Sequence, residues 1–256
     1  MMKAIAILSF VVIALTLSFS FCKSHATNKE TQATVTDKGF AVVELFTSEG
    51  CSSCPPADEA MIRLEKEFPE HVCFLGYHVD YWDHIGWKDQ FDNPDYAKRQ
   101  ESYAGQLGLE SIYTPQVIIN GEKEYVGSRE TQIKSMIQEK LKGGASADIQ
   151  LTAKKESGGS IEATYKTSTS PSIMLNIALV QSYASTNVTR GENNGHRLNH
   201  INIVREFRAI PIDKTGEGKI DLPVPSGLTT IDLKLIAFTQ NKNDMKISGA
   251  TTAAIQ

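Results

Sequence analysis

The chain has 256 residues, 41% hydrophobic and 22% charged, with a formal net charge of −4. That balance belongs to a folded, soluble chain long enough for one large or two modest domains. The slightly acidic total excludes a global electrostatic case for nucleic acid or an anionic membrane surface as partner.

Residues 1–26 predict an export signal. Lys3 supplies the positive start, residues 4–21 form an apolar run broken only by Ser and Thr, and Ser24-His25-Ala26 places small residues at a cleavage site. Cleavage there removes the one run near the length of a membrane span and leaves none behind. The product is expected in the periplasm or outside the cell. Cys22 offers an alternative, a lipid anchor that would make the chain a membrane-anchored lipoprotein, although Phe21 suits that processing poorly. Residues 27–38 are polar and aperiodic and predict a flexible leader.

Residues 40–46 (Phe-Ala-Val-Val-Glu-Leu-Phe) form a short, nearly continuous apolar run, the pattern of a strand buried on both faces. After Cys51 to Cys54 and Pro55-Pro56, the residues Ala57, Ala60, Met61, Leu64 and Phe68 recur at helical spacing until Pro69. Residues 72–79 predict a second buried strand. Asn93-Pro94 starts a helix with Asn as cap and Pro at the first position, and Gly108 ends it. Residues 116–119 predict a third strand, Asn120-Gly121 a hairpin turn and Tyr125-Val126 the return strand. Ile133, Met136, Ile137 and Leu141 mark a last helix. The order β-α-β-α-β-β-α is two parallel-type crossovers, then a hairpin, then a helix.

Residues 143–146 read as a linker. Beyond them the texture becomes short strands with turn signals: 148–155 and 161–166 around Gly158-Gly159, then 173–180, 201–210, 231–238 and 246–255, with Pro223 and Pro225 punctuating a loop. The expected fold class is therefore α/β. A thioredoxin-like domain over residues 39–142 is followed by a C-terminal β-sandwich domain over 147–256.

Four cysteines are present. Cys22 falls in the signal, and an exported chain lets disulfides persist. Cys73 lies in an apolar run and reads as a buried small hydrophobe. Cys51-Ser52-Ser53-Cys54 has more specific surroundings. A CxxC alone is also half a zinc site, but one between a buried strand and a helix in a βαβ unit reads as thioredoxin-like. The first helical N–H groups lack intrahelical partners and are expected to point at the first sulfur, and with the helix dipole they favour a thiolate. Cys51, at the exposed end, is the expected attacking sulfur, and Cys54 the buried resolving one.

Residues 43–141 resemble the thioredoxin superfamily. The stretch from Glu44 to Asp58, reading Glu-Leu-Phe-Thr-Ser-Glu-Gly-Cys-Ser-Ser-Cys-Pro-Pro-Ala-Asp, is similar to an exported bacterial thioredoxin-like family known as a domain of unknown function. So are His78-Val79-Asp80-Tyr81-Trp82-Asp83 and Arg190-Gly191-Glu192-Asn193-Asn194-Gly195. The resemblance implies a redox role with no defined substrate. It also implies a cis peptide bond at Thr114-Pro115, facing the dithiol and positioning a substrate backbone. The chain departs from familiar thioredoxins in four ways. Gly50 stands where Trp is usual, Ser52-Ser53 replaces Gly-Pro, Pro55-Pro56 removes two backbone donors, and Glu49 sets a negative charge beside the sulfur, which raises a thiol pKa.

The leading expectation is a thiol–disulfide oxidoreductase acting on a protein or a small thiol or disulfide, with no cofactor. One alternative is a metal-handling protein that binds Cu(I) or Zn through Cys51, Cys54 and His78 or His84. Another is a non-catalytic binding module whose disulfide is structural. Tyr81 and Trp82 are candidates for an apolar wall against a peptide substrate; the plainer reading is that Trp82 and Trp87 pack the loop down while His78 and Asp80 hydrogen-bond it. On a strand, His196 and His200 would share a face about 13 Å apart, too far for a common metal. The polar loop 190–195 is either locked on itself by an Arg190–Glu192 contact or docked over the dithiol, limiting access to Cys51.

Overall fold

The computed structural model describes residues 39–145, 147–168 and 171–256. The expected signal 1–26, the leader 27–38 with its neighbouring lipid site at Cys22, and Ser146 of the expected linker lie outside the described residues.

β1 (Ala41–Thr47) is the axis of the N-terminal half, and every residue of it is buried. It runs parallel to β2 (Val72–His78) and antiparallel to β3 (Gln116–Ile119). β3 turns through Asn120-Gly121, both at positive φ as the dipeptide predicts, into β4 (Lys123–Val126). Alternation along β1 explains why both faces are covered. Ala41, Val43 and Leu45 pack with Ala57, Met61 and Leu64 of α1 (Pro55–Glu67) and with Ile133 and Ile137 of α3 (Glu130–Lys140). Val42 and Phe46 face the opposite way, toward Tyr96 and Tyr103 of α2 (Pro94–Leu107). The Asn93 side chain accepts the Asp95 N–H at 2.9 Å to cap α2, and Gly108 at φ 65° ends it.

The C-terminal half does not form a stand-alone sandwich. β7 (Ile173–Asn187), β8 (Arg197–Pro211), β10 (Leu233–Asn241) and β11 (Ile247–Ala254) extend the first sheet, giving the order β11-β10-β7-β8-β2-β1-β3-β4. The joint is a short parallel pairing of β2 with β8, Gly76 opposite Ile203. A Cβ on Gly76 would stand 3.3 Å from the Ile201 carbonyl oxygen, so glycine lets the two backbones close up. One core, with α2, takes in Val42, Phe46 and Tyr77 from one half and Val180, Val204 and Phe238 from the other. A second sheet, β5 (Ile149–Lys155), β6 (Ser160–Thr167) and β9 (Glu217–Pro223), covers β7, β10 and β11 through Leu151, Ile161, Leu222, Ile177 and Leu235. β9 is a strand where the prolines predicted only a loop. It pairs with β6 alone and so sits at an edge, where its final Pro223 is tolerated. Ile231, placed by periodicity at the head of a strand, is instead 90% exposed on a short 3-10 turn. Among the described residues no helix is long and apolar enough to cross a membrane.

Candidate functional site: a strapped disulfide above a buried charge cluster

Cys51 and Cys54 are joined as a disulfide with their Cα atoms 5.4 Å apart, between the end of β1 and the start of α1. Ser48 shapes the approach. Its Oγ accepts the Gly50 N–H at 3.1 Å and its carbonyl accepts the Cys51 N–H at 3.2 Å. Cys54 is the N-cap of α1, and Pro55 and Pro56 occupy positions whose N–H groups a helix leaves unpaired anyway. The next two amides, of Ala57 and Asp58, both donate to the Cys54 carbonyl, at 2.8 and 3.1 Å. These amides are therefore not aimed at sulfur, contrary to the sequence expectation. The polar neighbour of Cys51 is instead the exposed Ser53 hydroxyl, 3.3 Å from Sγ.

Cys51 is 0% exposed and Cys54 1%, so the attacking sulfur expected at an exposed end is covered. Part of the cover is the tip of the long β7–β8 hairpin, residues 188–196. The Glu192 carboxylate accepts the Ser52 N–H at 3.1 Å, and the Ser52 hydroxyl together with that N–H holds it below the usual carboxylate range. The Asn193 Nδ2 donates to the carbonyls of Glu49 and Cys51 at 2.9 and 3.0 Å. The loop 190–195 is thus a strap docked on the dithiol segment, with Glu192 committed to Ser52.

The loop after β2 closes another side. Trp82 Nε1 donates to Thr114 Oγ1 at 2.7 Å, and the Thr114-Pro115 bond is cis. Ser53 Oγ donates to the Thr114 carbonyl at 3.4 Å, so Thr114 and the dithiol segment are neighbours. Gly50 has a local reason: a Cβ there would come 3.0 Å from the Cβ of Trp82, so the aromatic side chain arrives from another loop. The Tyr81 hydroxyl donates to Gln100 Oε1 at 3.2 Å, and burial pushes the phenol up to about 12. Trp82 and Tyr81 are tied into the fold at their polar ends, and Trp87 donates to Glu49 Oε2 at 2.8 Å.

His78 and His84 do not converge on the sulfurs as ligands. His78, 1% exposed, bonds Asp89 through Nδ1 at 2.7 Å, while His84 is exposed with Nδ1 2.9 Å from the Tyr81 carbonyl oxygen. Among the described residues no group of three or more His, Cys, Asp or Glu is arranged to hold a metal ion. Cys73 is free and buried, and burial pushes its thiol up.

Sequence reasoning missed a buried cluster. His200 of β8 reaches back to α1, where its Nδ1 lies 3.1 Å from Asp58 Oδ1, and its Nε2 lies 3.6 Å from Glu49 Oε1. Burial opposes charge on this imidazole, but Asp58 and Glu49 outweigh it and push His200 up to about 10. The His78 ring stands edge-on to it at 4.8 Å. Burial works to raise the Asp89 carboxyl, yet His78 and the N–H groups of Glu49 and Phe91 hold it below its ordinary value. The available signal was weak: two acidic residues, Glu49 and Asp58, flank a dithiol at a buried strand–helix junction, where charge needs a partner.

Residues 42–240 match the family model described as "Protein of unknown function (DUF1223)", and the chain belongs to that family. A crystal structure of a protein from Agrobacterium tumefaciens is similar at 26% identity and a TM-score of 0.62, over 83% of this chain and 92% of that one. A domain of the outer membrane lipoprotein Omp28 from Porphyromonas gingivalis aligns at 15% identity and a TM-score of 0.29, over 44% of this chain and 89% of that one. Comparison with curated proteins gave no match.

Proposed function

We propose that the chain is an exported thiol–disulfide oxidoreductase-like protein, built on a thioredoxin-like core, whose dithiol works from beneath a strap. The observation that carries this reading is the Cys51–Cys54 disulfide at the junction of β1 and α1, with the Thr114 carbonyl 3.4 Å from Ser53 Oγ. The strand order β4-β3-β1-β2, with α1 and α3 on one face and α2 on the other, supports the thioredoxin-like core. The export pattern of residues 1–26 supports a periplasmic or secreted location, with lipid anchoring at Cys22 as the alternative.

The chemistry is thiol–disulfide exchange with a protein or small thiol. With the strap displaced, a substrate thiolate attacks Cys51 Sγ, the Cys51–Cys54 bond breaks and Cys54 leaves as thiolate. A second substrate thiolate then attacks the substrate sulfur of the mixed disulfide and releases Cys51. The substrate gains a disulfide, the protein gains two electrons, and the two protons lost by the substrate thiols are taken up by the protein thiols or by solvent. The reverse sequence reduces a substrate disulfide.

A second reading has a specific observation behind it. A disulfide at 0 and 1% exposure under two hydrogen-bonded loops is also what a structural bridge in a binding module looks like. Turnover separates the two. In an insulin-reduction assay driven by dithiothreitol, the wild-type chain is expected to accelerate precipitation of the insulin B chain, and Cys51→Ser to abolish the acceleration. No acceleration by the wild type over dithiothreitol alone would overturn the oxidoreductase reading.

A further inference from the structure

The dithiol segment is bracketed by two carboxylates. Glu49 lies two residues before Cys51, and Asp58 lies in the first turn of α1, its N–H donating to the Cys54 carbonyl at 3.1 Å. Both are buried, at 0% and 7% exposure. Two negative charges so placed would disfavour a thiolate. His200 alters the count. Its ring is 2% exposed and lies between them, 3.1 Å from Asp58 and 3.6 Å from Glu49. Thr47 Oγ1 donates to the other Asp58 oxygen at 3.1 Å, and Trp87 to the other Glu49 oxygen. That leaves Glu49 Oε1 and His200 Nε2 facing each other, both buried and neither with a hydrogen-bond partner. Also near the ring are His78 of β2, held by Asp89, and Arg205, whose guanidinium lies 5.1 Å from the Phe91 ring beside His200.

Resting on the oxidoreductase reading above, we infer that His200 is a positioning residue for the dithiol. Its imidazolium bridges Glu49 and Asp58 and offsets part of the penalty that these two carboxylates put on a thiolate at the reduced Cys51. The cluster of Glu49, Asp58 and His200 carries one net negative charge with the imidazolium present and two without it. His200 transfers no proton in the exchange; it acts through the field it sets. The strand that supplies it enters from the C-terminal half, 142 residues from Asp58.

Removing the positive and the negative partner must move the thiol in opposite directions, and removing both must restore it. The thiolate absorbance near 240 nm, taken as reduced minus oxidised protein across pH, reads the dithiol directly and cancels Cys73. His200→Gln is expected to lower the thiolate fraction at a fixed pH on the rising limb at least threefold. Glu49→Gln is expected to raise it at least threefold, and the double variant to fall within threefold of wild type. Shifts of the same sign, or a shift below threefold for either single variant, would overturn the inference. If His200→Gln alone fails to fold, the charge-balanced double variant is compared with Glu49→Gln, and the added His200 change must lower the thiolate fraction by the same factor. The readout needs no substrate. Absent insulin turnover with opposite shifts would sink only the oxidoreductase reading, and turnover without those shifts would sink only the role of His200.

Discussion

His200 enters the interior charged, and a pH signature follows. Its ordinary value of 6.5 is pushed up to about 10: burial opposes the charge, and Asp58 and Glu49 overcome that opposition. A group whose folded value is raised contributes stability that is fully present below its unfolded value and lost as pH rises through the folded one. Urea unfolding between about pH 6.5 and pH 10 is therefore expected to show the wild type losing stability, and His200→Gln losing clearly less. Equal losses in both would contradict the buried ion pair. Glu44 shows how far such residues can be read in advance. A carboxylate inside the run Val42-Val43-Glu44-Leu45-Phe46 announces a buried partner by its desolvation cost alone. The partner, Arg99 at 2.7 Å, comes from α2, and Tyr103 also donates to Glu44. The Arg99 guanidinium lies 4.9 to 5.7 Å from the rings of Tyr77, Tyr103, Phe207 and Phe238. No local pattern names that arginine, because the match is made across the fold.

At the scale of elements, local chemistry was readable where it decided the backbone. Asn93-Pro94, Asn120-Gly121 and Gly108 each do in the fold what their side chains and allowed φ values predict. The β7–β8 hairpin was harder. Its apolar cores at 173–180 and 201–210 were recognisable, while its outer arms, extending to Asn187 and back from Arg197, carry Ser, Thr and Asn and leave the core to reach the dithiol. Those arms place the strap. The two Asn193 hydrogen bonds to backbone carbonyls stabilise the closed position by about 1 to 3 kcal/mol together. Asn193→Ala is accordingly expected to speed reduction of the Cys51–Cys54 disulfide by excess dithiothreitol on the order of tenfold, measured by quenched alkylation and mass analysis. A rate equal to wild type would show that the strap does not control access.

Across the whole molecule, the order of the N-terminal elements was visible in sequence, but only the first crossover is parallel, since β3 runs antiparallel to β1 where a second parallel-type crossover was expected. The union of the two halves was not visible. It depends on one short parallel contact, on the small size of Gly76, and on a core assembled from residues far apart in sequence. The C-terminal half therefore serves as more than a companion to the dithiol: through β8 it supplies His200, and through the hairpin tip it supplies Glu192 and Asn193. The oxidoreductase reading requires the Cys51–Cys54 disulfide to be redox-poised beneath its cover rather than inert. The most direct measurement is equilibration of the full chain with dithiothreitol and glutathione redox buffers, with the Cys51–Cys54 state read by alkylation and mass analysis. A reduction potential above about −300 mV is the predicted result, and a lower one, in the range of reduction-resistant structural bridges, would contradict the account.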